Sequence, residues 1–312
     1  MLQVAPRTAY IAKSNIFSED LYMRWLRYVD ATEATNITYR RALKQFAFFL
    51  SENGITAPSR EDIYNFKSEL LQRTKPATVA LYLTVVKNFF SWLELEGIYK
   101  DVAKHVKAVK VLRTHKRDAL TATQVKEIVS SMDAESVEDK RNYAIMLLMV
   151  TAGLRTIEVA RANVEDIRTV GNSTVLFIQG KGRNDKSEYV KLTSEVYKAI
   201  REYLAVAPAK ATTDALFTST SNNSNGNRLS TRTLRQIVKD QFKKNGYISE
   251  RLTAHSLRHT TATINLLNGG TLEETQQLLR HKNITTTMIY NHSLQRINNN
   301  SENRVMTAIF NS

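Results

Sequence analysis

Between residues 19 and 96, apolar side chains recur at spacings of three and four in four consecutive stretches: Glu19 to Asp30, Glu33 to Asn53, Arg60 to Arg73 and Pro76 to Glu96. That period gathers the apolar residues of each stretch on one helical face, so the four stripes must be buried against one another. The stops stand where a bundle needs them. Asn53-Gly54 and Glu96-Gly97 close two stretches, and Pro76 opens the last one in a first turn, where a missing N–H costs nothing. A compact four-helix module is expected.

From Val102 to Arg117 there is no acidic residue, and Lys104, Lys107, Lys110, Arg113 and Lys116 recur at every third position with Arg117 beside them. This run reads as an inter-domain linker, residues 104–118. It is either a solvated charge run or a segment that tracks phosphates. Beyond Asp118, Thr121 is placed as N-cap of a helix over Ala122 to Met132, and Asp139 to Thr151 contains the core-like run Ala144 to Val150. Val164 to Val170, Thr174 to Gln179 and Glu188 to Leu192 alternate and are rich in β-branched residues, with turns at Gly171-Asn172 and from Gly180 to Asp185. Helices resume at Glu195, and Ser219 to Asn227 is a polar loop. Thr231 to Asn245 is a basic amphipathic helix, with Arg232, Arg235, Lys239 and Lys243 on one face and Leu234, Ile237, Val238 and Phe242 on the other.

The fold expected is therefore mainly α with a small antiparallel β meander. An N-terminal extension (1–18) precedes a helical domain (19–103), the linker, and a mixed α/β domain (119–312) that ends in a tail, residues 291–312. A chain of 312 residues has room for two cores.

The formal net charge is +14, from 44 Lys and Arg against 30 Asp and Glu, a field that attracts a polyanion. Both parts share it: residues 1–110 carry 16 basic and 11 acidic side chains, and residues 111–312 carry 28 and 19. Nucleic acid is the natural partner, and a generally basic protein is the plain alternative. With no cysteine there is no disulfide, Cys-ligated metal or thiol nucleophile, which fits a reducing cytoplasm. Met1 to Ser18 holds no signal-like apolar run and no segment approaches a membrane span, so a cytoplasmic location and no membrane association are expected.

Four short stretches carry the chemistry: Gly153-Leu154-Arg155-Thr156-Ile157-Glu158, His255-Ser256-Leu257-Arg258-His259, Leu278-Leu279-Arg280-His281, and Tyr290 nine residues further on. Arg155 with Glu158, and His255 with Arg258, are three apart and share a helical face. On their own the first pair reads equally as a surface salt bridge, and Tyr290 as one of 13 tyrosines in half-buried positions. His255 with His259 has the i, i+4 spacing of a zinc helix, but Ser stands at 256 and no third ligand is suitably spaced, so no metal is expected. Gly180-Lys181-Gly182 lacks the spacing of a Walker phosphate loop.

In this order the set resembles the tyrosine recombinases, the phage integrase family. The resemblance covers nearly the whole chain, and implies an N-terminal SAM-like core-binding domain before a mixed α/β catalytic domain. It implies Tyr290 as nucleophile, Arg155 and Arg258 as phosphate-binding arginines, His281 as a phosphate donor, His255 as a proton-handling or donor residue, and Glu158 as the acid that orients Arg155. Lys181, on the β turn, is the implied general acid for the leaving 5′ oxygen, ahead of Lys186; His259 is assigned to packing or capping. Arg280 departs from the pattern, since Gly is commonest there, which puts the geometry of that loop in question.

The resemblance further implies double-stranded DNA as partner, touched by Arg40, Arg41, Lys44, Thr78, Tyr82 and Lys87 in the first domain and by Arg232, Arg235 and Lys239 in the second. It implies a 3′-phosphotyrosyl intermediate without cofactor, metal or ATP, and a homo-tetramer on paired sites linked by the C-terminal tail. No arm-binding domain is expected before residue 19, as in Xer-like or small mobile-element enzymes. The biological outcome stays open among integration, excision, inversion and dimer resolution. A type IB topoisomerase and a catalytically idle DNA-binding regulator are the competing functions.

Overall fold

The computed structural model describes residues 16–111, 118–180, 182–207, 214–222, 225–290 and 299–310. The chain divides into two compact units, Met1–Thr114 and His115–Ser312.

The first unit is a bundle of α1 (Glu19–Val29), α2 (Glu33–Glu52), α3 (Arg60–Arg73) and α4 (Pro76–Leu95), within a residue of the stretches marked by the apolar period. Local chemistry sets the ends. The Ser18 hydroxyl accepts from the Leu21 amide at 3.3 Å, the Asp62 carboxylate accepts from the Ser59 amide at 2.7 Å, and Pro76 occupies the first turn of α4. The buried stripes meet in an aromatic core, with Phe46 on Phe66 at 4.9 Å and Trp25 on Phe89 at 5.4 Å between ring centroids.

This core extends into the basic run. Val102, Ala103 and Val106 are buried in it, Lys67 Nζ donates to the Lys107 carbonyl at 2.9 Å, and Lys87 Nζ donates to the Val106 carbonyl. The apolar residues set between the lysines explain the docking. They bring the backbone against α3 and α4, where two ammonium groups satisfy its carbonyls.

The second unit begins with α5 (Ala122–Ser130), capped by Thr121 through a reciprocal bond with Gln124, and α6 (Val137–Ala152), capped by Ser136 and Asp139. Next come α7 (Thr156–Arg161), the strands β1 (Ile167–Val170), β2 (Ser173–Ile178) and β3 (Glu188–Lys191), and α8 (Ser194–Val206). The strands form one antiparallel sheet in the order β1-β2-β3, with Ile167 opposite Leu176 and Val175 opposite Lys191. The meander starts later than its β-branched pattern suggests. Val164–Asp166 is a 3-10 turn, because the buried Asp166 carboxylate accepts from the Asn163 amide at 2.6 Å and curls the chain there.

Helices α9 (Thr231–Lys244), α10 (Ala254–Leu267) and α11 (Leu272–Leu279) follow, then α12 over residues 285–290 and α13 (Ser301–Phe310). The core is centred on α6, which packs against α8 and α10, while α9 lies on α7 and α11 on α10. Two buried threonines of α10 tie it to its neighbours: Thr260 Oγ1 accepts from the Leu120 amide at 2.9 Å, and Thr261 Oγ1 donates to the Val150 carbonyl at 2.6 Å.

Candidate active site

Two chain reversals converge at one end of α6, with a side chain from α10 between them. The helix ends on Gly153 in the left-handed region (φ 57°), and the chain turns into α7 with Arg155 as its N-cap residue. An alanine at 153 would be strained in backbone and would also set its Cβ 2.7 Å from Leu279 Cδ2, so α11 packs directly on a surface that only glycine leaves open. Helix α11 ends on Arg280, also left-handed (φ 54°, ψ 47°), which places His281 beside the start of α7. Arg258 reaches up from α10 between the two.

Arg258 is 1 % exposed. Its Nη1 donates to the Gly153 carbonyl at 2.6 Å and its Nη2 to the Leu279 carbonyl, so it ties the two reversals together. A guanidinium has five donors, and three remain for another acceptor. Burial, followed by repulsion from Arg155 and Arg280, pushes its pKa down to about 9, which leaves it charged at neutral pH.

Glu158 is fully buried below Arg155. It accepts from Arg155 Nη1 at 2.7 Å, from the Arg155 amide at 2.8 Å and from Arg280 Nη2 at 3.1 Å. Burial opposes its ionisation, yet Arg280 and the Arg155 amide and guanidinium together hold its carboxyl below the usual range. Arg155 keeps part of its side chain, 30 %, in solvent. It is thus anchored from behind and open in front, as an anion-binding guanidinium must be.

His281 Nδ1 lies 2.9 Å from the hydroxyl of Thr287, which is wholly buried. Burial first, then Arg258, Arg155, Arg280 and His255, push the His281 pKa down to about 4, so the imidazole is neutral at pH 7. Tyr290 is 5 % exposed; its ring is nearly parallel to His281 at 6.4 Å and meets His259 edge-on at 5.1 Å. Burial raises the phenol pKa, while Arg258 and Arg155 act against that rise. His255 is exposed at the head of α10, 4.7 Å from the His259 ring.

Arg155, Glu158, His255, Arg258, His281 and Tyr290, the set implied by the family resemblance, therefore stand together in the fold. Lys181 lies outside the described residues. Lys186 donates to the buried Asp166 carboxylate at 2.5 Å. Thr287 and the inward-turned Arg280 are site residues that sequence reasoning did not assign. For Thr287 the only signal is its place in the Thr285-Thr286-Thr287 run before Tyr290. The arrangement offers fixed cationic donors around one small volume with a phenol at its side, which suits attack on a phosphodiester.

Of the basic residues marked for DNA, Arg41 and Lys44 on α2 and Arg232, Arg235 and Lys239 on α9 are exposed, and none forms an ion pair among the described residues. Arg40 pairs with Glu19 at 2.5 Å and lies over the Tyr22 ring, and Thr78 and Tyr82 are half-buried on α4.

Residues 118–296 match the model of the phage integrase family, and residues 21–97 match that of the phage integrase N-terminal SAM-like domain. The tyrosine recombinase XerC of Thermodesulfovibrio yellowstonii is 32 % identical over 235 residues, 74 % of this chain and 76 % of the relative. Tyrosine recombinase XerD of Listeria monocytogenes is 29 % identical over 265 residues, covering 81 % and 86 %. The fold is similar to that of XerH recombinase bound to its palindromic difH substrate, with TM-score 0.70, 20 % identity and coverage of 90 % and 84 %. It is also similar to a lambda integrase dimer bound to a COC′ core site, with TM-score 0.66, 18 % identity and coverage of 86 % and 94 %. Two family models that between them span both units, and a relative this close over three quarters of its length, place the chain in the phage integrase family, among the tyrosine recombinases.

Proposed function

We propose that this tyrosine recombinase cuts and rejoins double-stranded DNA through a covalent bond from Tyr290 to a 3′ phosphate. The observation that carries the reading is the seating of the Tyr290 phenol against His281 and His259, in the field of Arg258 and Arg155. Arg155 and the free donors of Arg258 hold the non-bridging oxygens, and neutral His281 donates through Nε2 when Nδ1 accepts from Thr287. As the Tyr290 Oη–P bond forms, the P–O5′ bond breaks. The phenol proton passes to the His255 imidazole, and Lys181 protonates the leaving 5′ oxygen. The phosphotyrosyl bond conserves the energy of the phosphodiester, so a 5′ hydroxyl from a second duplex reverses the step without cofactor or ATP.

Exchange of four strands needs four protomers, and α13 supplies a means of linking them. It buries none of its residues among the described ones, and Val305, Met306, Ile309 and Phe310 are 59 to 72 % exposed. Laid on a second copy of the chain, this face would close a ring of protomers. No helix among the described residues is long and apolar enough to cross a membrane, and the cytoplasm, where the DNA lies, is the proposed location.

The test is covalent trapping. Nicked duplexes carrying the sequences that flank the chain's own gene are incubated with protein in chelator and quenched in detergent. Wild type should give a protein–DNA adduct and Tyr290→Phe none, with equal DNA binding. Binding without any adduct overturns the reading, and relaxation of supercoils lacking a recombination site would move it to a topoisomerase.

A further inference from the structure

We propose that Arg280 is a positioning residue for this reaction: it shares the Glu158 carboxylate with Arg155, and so keeps the cluster net positive and Arg155 aimed at the phosphate. The inference rests on the function proposed above.

Three observations carry it. The Arg280 backbone is left-handed, a region that side-chain-bearing residues enter at a cost and glycine enters freely, so the side chain must return something for its place. That side chain is turned inward and is 6 % exposed. Its Nη1 donates to the Leu278 carbonyl at 2.7 Å and to the Ala152 carbonyl at 3.3 Å, and its Nη2 donates to Glu158 Oε2 at 3.1 Å. The Nη donors are thus committed to protein, and the remaining Nε is buried, so no donor of Arg280 faces the open side of the site as those of Arg155 do. Glu158 in turn carries Arg155 on its other oxygen.

The charge count follows. Arg155 and Glu158 alone are an ion pair without net charge, and such a pair attracts an anion weakly. With Arg280 on the far oxygen the three groups carry one net positive charge, exposed only at Arg155.

Single-turnover adduct formation on the nicked duplex decides the matter, with the Kd for the same duplex measured alongside. Arg280→Met should slow adduct formation by up to about a hundredfold, the scale of a misplaced catalytic group, with Kd unchanged. Its acid limb should move to higher pH, because Glu158 loses a cation that favours its ionised form. Arg280→Lys should recover part of the rate. The double variant Arg280→Met/Glu158→Gln should be no slower than Glu158→Gln, since Arg280 acts through that carboxylate.

A wild-type rate in Arg280→Met, or losses that multiply in the double variant, would overturn the inference. If Arg280→Met does not fold, Arg280→Gln, which keeps amide donors for the carbonyls, carries the same comparison. Absence of an adduct from wild type overturns both this and the proposed function, whereas an adduct indifferent to Arg280 overturns this inference alone.

Discussion

The Tyr290 ring lies 11° from parallel to the His281 ring, 6.4 Å away between centroids, and both depend on one turn of α12. Thr287 and Tyr290 are three residues apart and so share a helical face. The first holds His281 Nδ1 at 2.9 Å while the second sits beside the imidazole. The proposed nucleophile and the proposed phosphate donor are thereby positioned by a single element.

Thr287→Val keeps the volume of this wholly buried side chain and removes only its hydroxyl. Losing the bond should cost about 1 kcal/mol of stability, read as a lower Tm. Adduct formation should fall further than stability does, because His281 is then free to choose its tautomer. Thr287→Ser should recover both. Equal adduct rates for Val and wild type would show that the hydroxyl has no part in catalysis.

The depressed His281 pKa gives stability a definite pH dependence. An unfolded histidine titrates near 6.5, whereas the folded one resists protonation down to about 4. Below pH 6.5 the unfolded chain therefore binds a proton that the folded chain refuses. Stability is full above that pH and declines as pH falls toward 4. Glu158, with its carboxyl held low, contributes stability that is lost only further down, below the ordinary carboxylate range. Tm should therefore drop between pH 7 and pH 5, and His281→Gln should flatten the drop. An equally steep profile in the variant would assign the effect to other groups.

Much of this molecule was legible from periodicity. Four stripes at spacings of three and four gave the helices of the first unit to within a residue, because an apolar face and a capping residue determine a helix locally. The order Arg155, His255, Arg258, His281, Tyr290 was legible only through its resemblance to a family, and it picks out side chains that the fold brings together. What stayed hidden depends on distant partners. Arg280 read as a misfit in a glycine position, since the buried carboxylate that accepts it lies 122 residues away in the chain. Thr287 read as one of three consecutive threonines, and only the fold says which one faces a histidine. Val106 read as linker because a basic run masks the apolar residues set between its lysines, and Lys67 and Lys87 from α3 and α4 help to dock its backbone.

Gly153 tests how tightly the two reversals are packed. Gly153→Ala places a side chain where φ is 57° and sets its Cβ 2.7 Å from Leu279 Cδ2, so backbone strain adds to overpacking. The expected loss is about 1 to 3 kcal/mol. Leu279→Ala in the same chain should relieve the clash but leave the strain, so the double variant should lose less than the sum of the single losses. Simple additivity in the melting temperatures would place the damage elsewhere.

The basic residues should separate by what already occupies them. Arg232, Arg235 and Lys239 on α9, and Arg41 and Lys44 on α2, are exposed cations without an ion pair among the described residues. Neutralising any that meets a phosphate should lower the slope of log K against log salt by about 0.9 for each phosphate left unneutralised, because its counterion is no longer released on binding. Arg40 is held by Glu19 and lies over Tyr22, and the Lys87 ammonium is bound to the Val106 carbonyl. Glutamine at Arg40 or methionine at Lys87 should change the salt slope less, and the Lys87 variant should instead lower the Tm of the intact chain by loosening the docked segment. Binding isotherms over a range of salt concentrations on one duplex sort the two groups, and a Lys87 variant whose slope falls by as much as that of an α9 variant, with an unchanged Tm, would reverse the assignment.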